Sequence, residues 1–384
     1  MPTYPTYKLG EIIDKVNVVS KVKQKEYLTE GLYPVIDQGQ PLIGGYTDDE
    51  TLVVNTELPV IVFGDHTKVK KFVDFPFVAG ADGTKILKPK KDYFIEPQLF
   101  YWFLHCVKFP DKGYARHFQY LLKADIAVPP LPTQRAIVAR IEELFAELDK
   151  AVYKLKTARQ QLKTYRQAVL NHWLHNEDGK WEMVKLGEVL NKIEAGKSFR
   201  CNEKVPTLHE KGIIKISAVT WGDFKEDECK TIINEELYNP QYRIRKGDLL
   251  MSRANTIQLV GNCVLVRNEP VRNIMLSDKV LRLVPNERID SEFLLYSLKT
   301  SNCRTQIQVM STGNQDSMRN IGQDRIRKID ISLPPLPEQQ RIVAEIESRL
   351  SACESMEQSI IQSLAQAEVL RQSILKKAFS GELV

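Results

Sequence analysis

The chain has 384 residues, 43% of them hydrophobic, with 54 Lys and Arg against 49 Asp and Glu for a net charge of +5. That length suggests two or three domains, each large enough to bury a core. No apolar run approaches the 18 or so residues that would span a bilayer. Met1-Pro2-Thr3-Tyr4 opens no charged-then-apolar signal segment, so a cytoplasmic protein without membrane contact is expected. The positive charge is not pooled in a basic domain: residues 1–128 carry 16 basic and 16 acidic side chains, and residues 176–333 carry 25 and 22. Clusters such as Lys68-Val69-Lys70-Lys71 and Arg325-Ile326-Arg327-Lys328 read, singly, as solvated faces. The six cysteines form no C-x-x-C pair, which argues against a zinc cluster and a disulfide framework.

In chain order, Lys8-Leu9-Gly10-Glu11 leads into short β-favouring runs at Thr51–Val54, Val60–Phe63, Phe72–Val73 and Lys85–Leu87, separated by glycine-containing turn signals. Pro97 then starts an apolar helix. Proline-rich Pro129-Pro130-Leu131-Pro132 precedes a long helix expected from Thr133, a candidate N-cap, to residue 175. A second block repeats the plan, with strands such as Ile213–Ile216 and Val280–Leu283 and a helix at Ser291–Leu298, before another long helix from 338.

The plan repeats because the chain is duplicated. Pro129–Glu142 returns as Pro334–Glu347 at an offset of 205, with ten of 14 positions identical. Arg166-Gln167-Ala168-Val169-Leu170 matches Arg371-Gln372-Ser373-Ile374-Leu375, and Lys185-Leu186-Gly187-Glu188 repeats Lys8-Leu9-Gly10-Glu11. Block starts and helices recur whereas block interiors share little, so this is a duplicated domain and not a solenoid. The expected boundaries are a first block at 1–132, a central long helix at 133–175, a second block at 176–337 and a C-terminal long helix at 338–384.

Both long helices carry a 3.5-residue apolar repeat, the signature of a coiled coil. Its expected packing positions are Ile137, Ile141, Leu144, Leu148, Leu155, Leu162 and Val169 in the first helix, with Ile342, Ile346, Leu350, Ile360, Leu370 and Ile374 in the second. Because the first helix enters block two and the second leaves it, pairing within one chain is antiparallel and gives an internal pseudo-two-fold; pairing between chains is the alternative. The expected fold class is α+β, two mixed, strand-rich blocks separated by these helices.

Catalytic signatures are largely missing. Ala195-Gly196-Lys197-Ser198 resembles the end of a phosphate-binding loop, but Asn191 stands where that loop needs its first glycine. No methyltransferase motif and no G-x-G-x-x-G turn occurs. His66 beside Asp65 lacks a second carboxylate–lysine set with metal-ligand spacing, so a binding or structural role is favoured over catalysis.

The duplicated PPLP-x-Q-x-x-IVA-x-IE start, the Lys-Leu-Gly-Glu block starts and the terminal Ala378-Phe379-Ser380-Gly381-Glu382-Leu383 resemble the specificity subunit of type I restriction–modification systems. Tyr33–Gln40, Val62–Thr67, Gly247–Thr256 and Leu276–Lys279 are similar to segments of that family's target recognition domains. The resemblance implies a non-catalytic subunit in which each block reads one half of a split double-stranded DNA site. The helices would set the gap and dock modification (methyltransferase) subunits, and separate restriction (motor/nuclease) subunits would complete the complex. No cofactor or metal is expected in this chain; S-adenosylmethionine, ATP and magnesium are implied on the partners. Candidate DNA-binding residues are Gln38, Gln40, His66, Thr67 and Lys68 in block one, and Trp221, Arg253, Asn255, Lys279, Asn314 and Gln315 in block two, whose side chains suit base edges or phosphates. Each is equally able to cap a turn or satisfy buried backbone. Two rival readings are a coiled-coil scaffold joining two protein-binding modules, which salt-insensitivity to duplex DNA would favour, and a fused restriction enzyme, against which the missing motifs count.

Overall fold

The computed structural model describes residues 4–18, 20–110, 115–176 and 179–383. The chain divides into two compact units: residues 1–156 with 360–384, and residues 157–359. Each long helix is therefore shared, one part belonging to each unit.

In the first unit, strand Thr6–Lys8 pairs antiparallel with Asp125–Ala127. A four-stranded antiparallel sheet follows in the order Ile13–Lys15, Thr84–Pro89, Val60–Gly64, Lys70–Val73. A three-stranded sheet places Tyr33–Ile36 between antiparallel Gly45–Thr47 and parallel Val78–Ala79. The second unit repeats this topology. Glu182–Lys185 pairs with Asp330–Leu333, and a four-stranded sheet runs Leu190–Ala195, Val280–Pro285, Leu249–Ser252, Cys263–Leu265. Its second sheet again joins antiparallel and parallel neighbours around one strand, Lys211–Ile214. A helix at Ser301–Met310 and a three-stranded sheet of Ala254–Asn255, Met318–Asn320 and Thr312–Gln315 have no counterpart among the described residues of the first unit.

Most apolar runs become strands because they alternate or are buried on both faces. Val60–Gly64 is buried along its whole length. Thr51–Val54 departs from expectation. Glu50–Leu52 is a single 3₁₀ turn, capped by the Asp49 carboxylate accepting from the Thr51 amide, and only Val53 touches a strand, as a bridge to Val78. The apolar helix at Pro97 runs to Cys106, and its counterpart Ser291–Lys299 is capped by Asp290, which accepts from the amides of Glu292 and Phe293.

The duplicated motifs build one device twice. The first long helix, Leu131–Trp173, and the second, Leu336–Ser380, begin inside the PPLP segments, two residues earlier than the sequence suggests. Proline fits a first helical turn, where its missing N–H would be unpaired anyway. The Gln134 amide N–H donates to the Pro130 carbonyl, which leaves Thr133 inside the first turn instead of at the cap. Gln134 is only 1% exposed and Gln339 is fully buried. The Gln134 side chain donates to the carbonyls of Phe94 and Pro129 and accepts from the Glu96 amide. Gln339 donates to Arg288 and Pro334 and accepts from Asp290. One glutamine thus bolts each long helix to the start of the preceding short helix.

Block starts repeat with equal fidelity. Leu9 and Gly10 donate amide hydrogens to Ala124 and Leu122, as Leu186 and Gly187 do to Ile329 and Arg327. Lys8 pairs with Asp125 at 2.7 Å and Lys185 with Asp330 at 2.6 Å. A Cβ on Gly187 would lie 3.0 Å from the Arg327 Cβ and 3.2 Å from its carbonyl oxygen, so the close approach of these segments favours glycine.

Within each unit the helix segments pack antiparallel. In the second, Arg159 and Arg166 both reach Glu357, while Trp173 further along lies against Arg341 and Arg349, nearer the start of the partner helix. Ile137, Ile141, Val169, Ile342, Ile346 and Ile374 are buried. Leu144, Leu148, Leu155, Leu162, Leu350 and Ile360 are half-buried, as in a two-helix seam without a third partner. Leu370 does not share this burial, being 51% exposed. Next to it, Arg371 covers the Phe145 ring at 4.4 Å and pairs with Asp149. Buried Val138, Phe145, Leu170, Val343 and Leu375 also join these cores from outside the expected seam positions.

Candidate nucleic-acid interface

In the first unit, three turns converge: residues 37–44, 64–69 and 80–83. Asp37 holds the first, accepting from the Gly39 amide at 2.8 Å, from the Tyr27 hydroxyl at 3.3 Å and from buried Lys71 at 3.5 Å. Burial and the Asp37 carboxylate push the Tyr27 hydroxyl up to about 12, so it stays a donor. Gln38 ties the turns together: its amide donates to the Asp82 carbonyl and its oxygen accepts from the His66 backbone N–H. The Thr67 hydroxyl donates to the Gln38 carbonyl at 2.7 Å. A Cβ on Gly83 would sit 2.9 Å from both Gln38 and His66, at a φ of +86°, so that turn requires glycine. Lys68 itself adopts φ +60°, an uncommon conformation for a residue with a side chain, and its ammonium lies 6.0 Å from the Phe109 ring. Gln40 is exposed. Gln38, His66, Thr67 and Lys68 are therefore brought together, with the Gln38 amide engaged in bracing. Asp65, beside His66, is buried and accepts from the Phe118 amide at 2.8 Å, a structural role.

In the second unit, Asn255 lies on the strand paired with Met318–Asn320, whose hairpin partner carries Asn314 and Gln315. Asn255 accepts from the Thr256 amide and donates to the Thr220 hydroxyl at 3.3 Å; the Thr220 carbonyl accepts from Asn262 at 2.9 Å. That fixes the residue before Trp221, whose side chain is 64% exposed. The Arg253 amide donates to the Lys279 carbonyl, joining the strand to the segment 276–279. The side chains of Arg253 and Lys279 have no carboxylate partner among the described residues, and Lys279 shares a cleft with Lys215 and Lys230. These bonds join the segments that carry the six candidates of this unit. The bracing residues Thr220 and Asn262 escaped sequence reasoning, because a polar residue that holds a loop and one that projects from it look alike in sequence.

Two motif-like stretches, around Gly196 and at Gly247–Ser252, serve packing. A Cβ on Gly196 would lie 1.8 Å from the Leu276 carbonyl oxygen, so this glycine is required by the close contact between the two segments. Gly247–Ser252 leads into a fully buried strand, with Asp248 and Glu194 both paired to buried Arg282 at 2.9 and 2.7 Å. Burial raises the Asp248 carboxyl. Among the described residues no group of three or more His, Cys, Asp or Glu is placed to hold a metal ion, and no helix is long and apolar enough to cross a membrane.

Two strand-rich folds of one topology are thus each bolted to a long helix, and each presents its own polar turns. Residues 178–366 match the type I restriction modification DNA specificity domain. The chain is 30% identical over 191 residues to the type I restriction enzyme EcoEI specificity subunit of Escherichia coli, covering 49% of this chain and 32% of that protein. It is 28% identical to the EcoKI specificity subunit of Escherichia coli (strain K12), covering 67% of this chain and 58% of that one. The chain thus spans from a third to under three fifths of these relatives. Against the EcoR124I/EcoR124II specificity subunit of Escherichia coli, at 23% identity, the coverage is 91% and 86%. In fold, it is similar to a chain of a solved type I R-M system (TM-score 0.74, 19% identity, covering 100% of this chain and 99% of that one). The HsdS subunit from Thermoanaerobacter tengcongensis follows at TM-score 0.53 and 18% identity, with 99% and 97% covered. Residues 178–366 thus belong to the type I restriction modification DNA specificity domain family, and the chain is similar to type I restriction enzyme specificity subunits.

Proposed function

We propose that this chain is the non-catalytic DNA-reading subunit of a type I restriction–modification complex, in which each unit reads one half of a split duplex site. The observation that carries this reading is the contrast between an exactly repeated helix clamp and unlike polar turns: one scaffold, used twice, carrying two different reading surfaces. The helices set the distance between the half-sites and dock modification subunits, while motor and nuclease functions belong to further subunits. Gln40, Lys68, Trp221, Arg253, Lys279, Asn314 and Gln315 are the side chains proposed to meet bases or phosphates. Gln38 and Asn255 hold the reading turns in place, and His66 and Thr67 lie at their rim. Base-edge contacts supply sequence preference and lysine–phosphate contacts supply affinity.

The test is selection from a pool of random duplex DNA by the full chain assembled with its modification subunit. A motif of two short specified stretches with a fixed unspecified gap, bound in a salt-sensitive manner, is the expected result. Salt-insensitive binding, or one contiguous motif, would overturn the proposal, and binding of protein ligands alone by both units would favour a scaffold.

A further inference from the structure

The hairpin Thr312–Asn320 is held without any apolar core of its own. Thr312 to Met318 are all exposed, and none of them joins a hydrophobic cluster, whereas Ser311 before them and Ile321 after them are buried. An isolated two-stranded hairpin is marginal in water, and this one gains from its surroundings only the short pairing of Met318–Asn320 with Ala254–Asn255 and the Ile257 amide bonded to the Asp316 carbonyl. Polar contacts must hold the rest of its shape, and Arg319 is placed to supply them. Its Nε donates to the Ser311 hydroxyl at 3.2 Å, one terminal nitrogen to the Ser311 carbonyl at 3.0 Å, and the other to the Gly313 carbonyl at 2.9 Å. The side chain is only 19% exposed, and its nearest carboxylate, Asp316, stands 4.0 Å away. The guanidinium fork thus spans the root of the hairpin on its opposite strand. Gly313 completes the arrangement: at φ +148°, a Cβ there would lie 2.2 Å from the Met318 carbonyl oxygen.

We infer that Arg319 is a positioning residue for sequence readout, an arginine beside a DNA-reading surface that touches no phosphate and instead sets the pose of Asn314 and Gln315. This rests on the proposed DNA-reading function. It makes a prediction opposite to that of an ordinary basic contact, because a residue that neutralises no phosphate releases no counterion. Lysine should fail to replace it, since an ammonium on a flexible stem cannot supply the planar fork that spans both carbonyls.

The experiment uses the full chain with its modification subunit and repeats the random-duplex selection with R319A, R319K and G313A. Wild type should select two half-sites. R319A and R319K should keep the half read by the first unit and lose preference in the other half, with about a tenfold or greater fall in the specific-to-random binding ratio for each relaxed base pair. The slope of log affinity for random duplex against log salt should not change. G313A, which distorts the hairpin without altering charge, should lose the same half. Amide exchange should quicken at Asn314–Met318 but not in strand Leu249–Ser252, which separates local loosening from unfolding. Retention of both halves by R319A, restoration by R319K, or a fall of about 0.9 in the salt slope of R319A would overturn the inference. Failure of the wild-type chain to select any split motif would instead sink the proposed function, and this inference with it.

Discussion

The helix clamps and the polar turns obey different rules. At the clamps, the two units agree bond for bond: a buried glutamine with three partners, a Lys-Leu-Gly-Glu start on the strand pair, a lysine–aspartate bridge. At the turns they agree only in sheet order. The first unit crosses its turns with Gln38, whereas the second builds an additional hairpin and fastens it with Arg319. Duplication has preserved what joins a block to a helix and left free what the block displays.

The strongest way to sharpen that contrast is to lengthen the helices without touching either clamp. One heptad inserted after Leu155 and another after Ile360 keeps both apolar seams in phase, at points beside the passage from one unit to the other. The spacer grows by about 10 Å, at most about three base pairs of DNA. Binding at the original site should be lost and both half-sites retained with a wider gap, or binding lost altogether if the changed twist is not tolerated. Selection that returns the original gap would show that the helices do not set it.

Breaking a clamp should cost less, and equally in both units. Gln134→Ala and Gln339→Ala each take the partner from three backbone groups, one bond buried and two part-buried, for about 2 kcal/mol apiece. Urea unfolding of the single variants measures this, and a silent Gln339→Ala beside a damaging Gln134→Ala would refute the equivalence.

Acid should separate the units. The helix Pro97–Cys106 holds His105, whose imidazole is lowered to about 4 by burial and by the charges of Lys70 and Arg371; the corresponding helix Ser291–Lys299 has no histidine. The unfolded chain takes up this proton near pH 6.5, before the folded unit does, so its contribution to stability is intact above pH 6.5 and is lost as pH falls towards 4. The total is about 3 kcal/mol. His105→Phe should flatten the stability profile across that window, and an unchanged slope would mean that the ring is not kept neutral by the fold.

The smallest effect is expected at the exposed bridges. Lys8→Ala and Lys185→Ala should each change stability by at most about 1 kcal/mol, by similar amounts, because solvent screens both pairs. A large loss at one alone would mean that its block start is held differently.

The clamps were visible in sequence as repetition, but not as a mechanism. Identical letters at an offset of 205 announce two long helices; nothing in them says that Gln134 reaches back to Phe94 and Glu96. Strands at Val60–Phe63 and Val280–Leu283 were legible because their burial writes itself as an apolar run. Thr51–Val54 is also largely apolar, yet a carboxylate cap at Asp49 draws its first two residues into the 3₁₀ turn Glu50–Leu52. The hairpin Thr312–Asn320 has no apolar period at all, so its strands are invisible to pattern, although Asn314 and Gln315 were singled out for their chemistry. For Gln38 and Asn255 the reverse holds: residue type marks an able hydrogen-bonding group, and only geometry shows that it is already engaged.

That coreless hairpin has a consequence for how such a protein can change over generations. Substitutions at Asn314, Gln315 or Ser317 remove no buried apolar surface, so they draw little from a folding reserve that is small in any domain. Under the proposed function, a lineage can then explore new target sequences by single mutations at the tip, provided Arg319 and Gly313 stay, without first acquiring compensating changes elsewhere. Mutational freedom would then be concentrated where novelty is useful, beside two residues, Gly313 and Arg319, that the hairpin's shape does not allow to change.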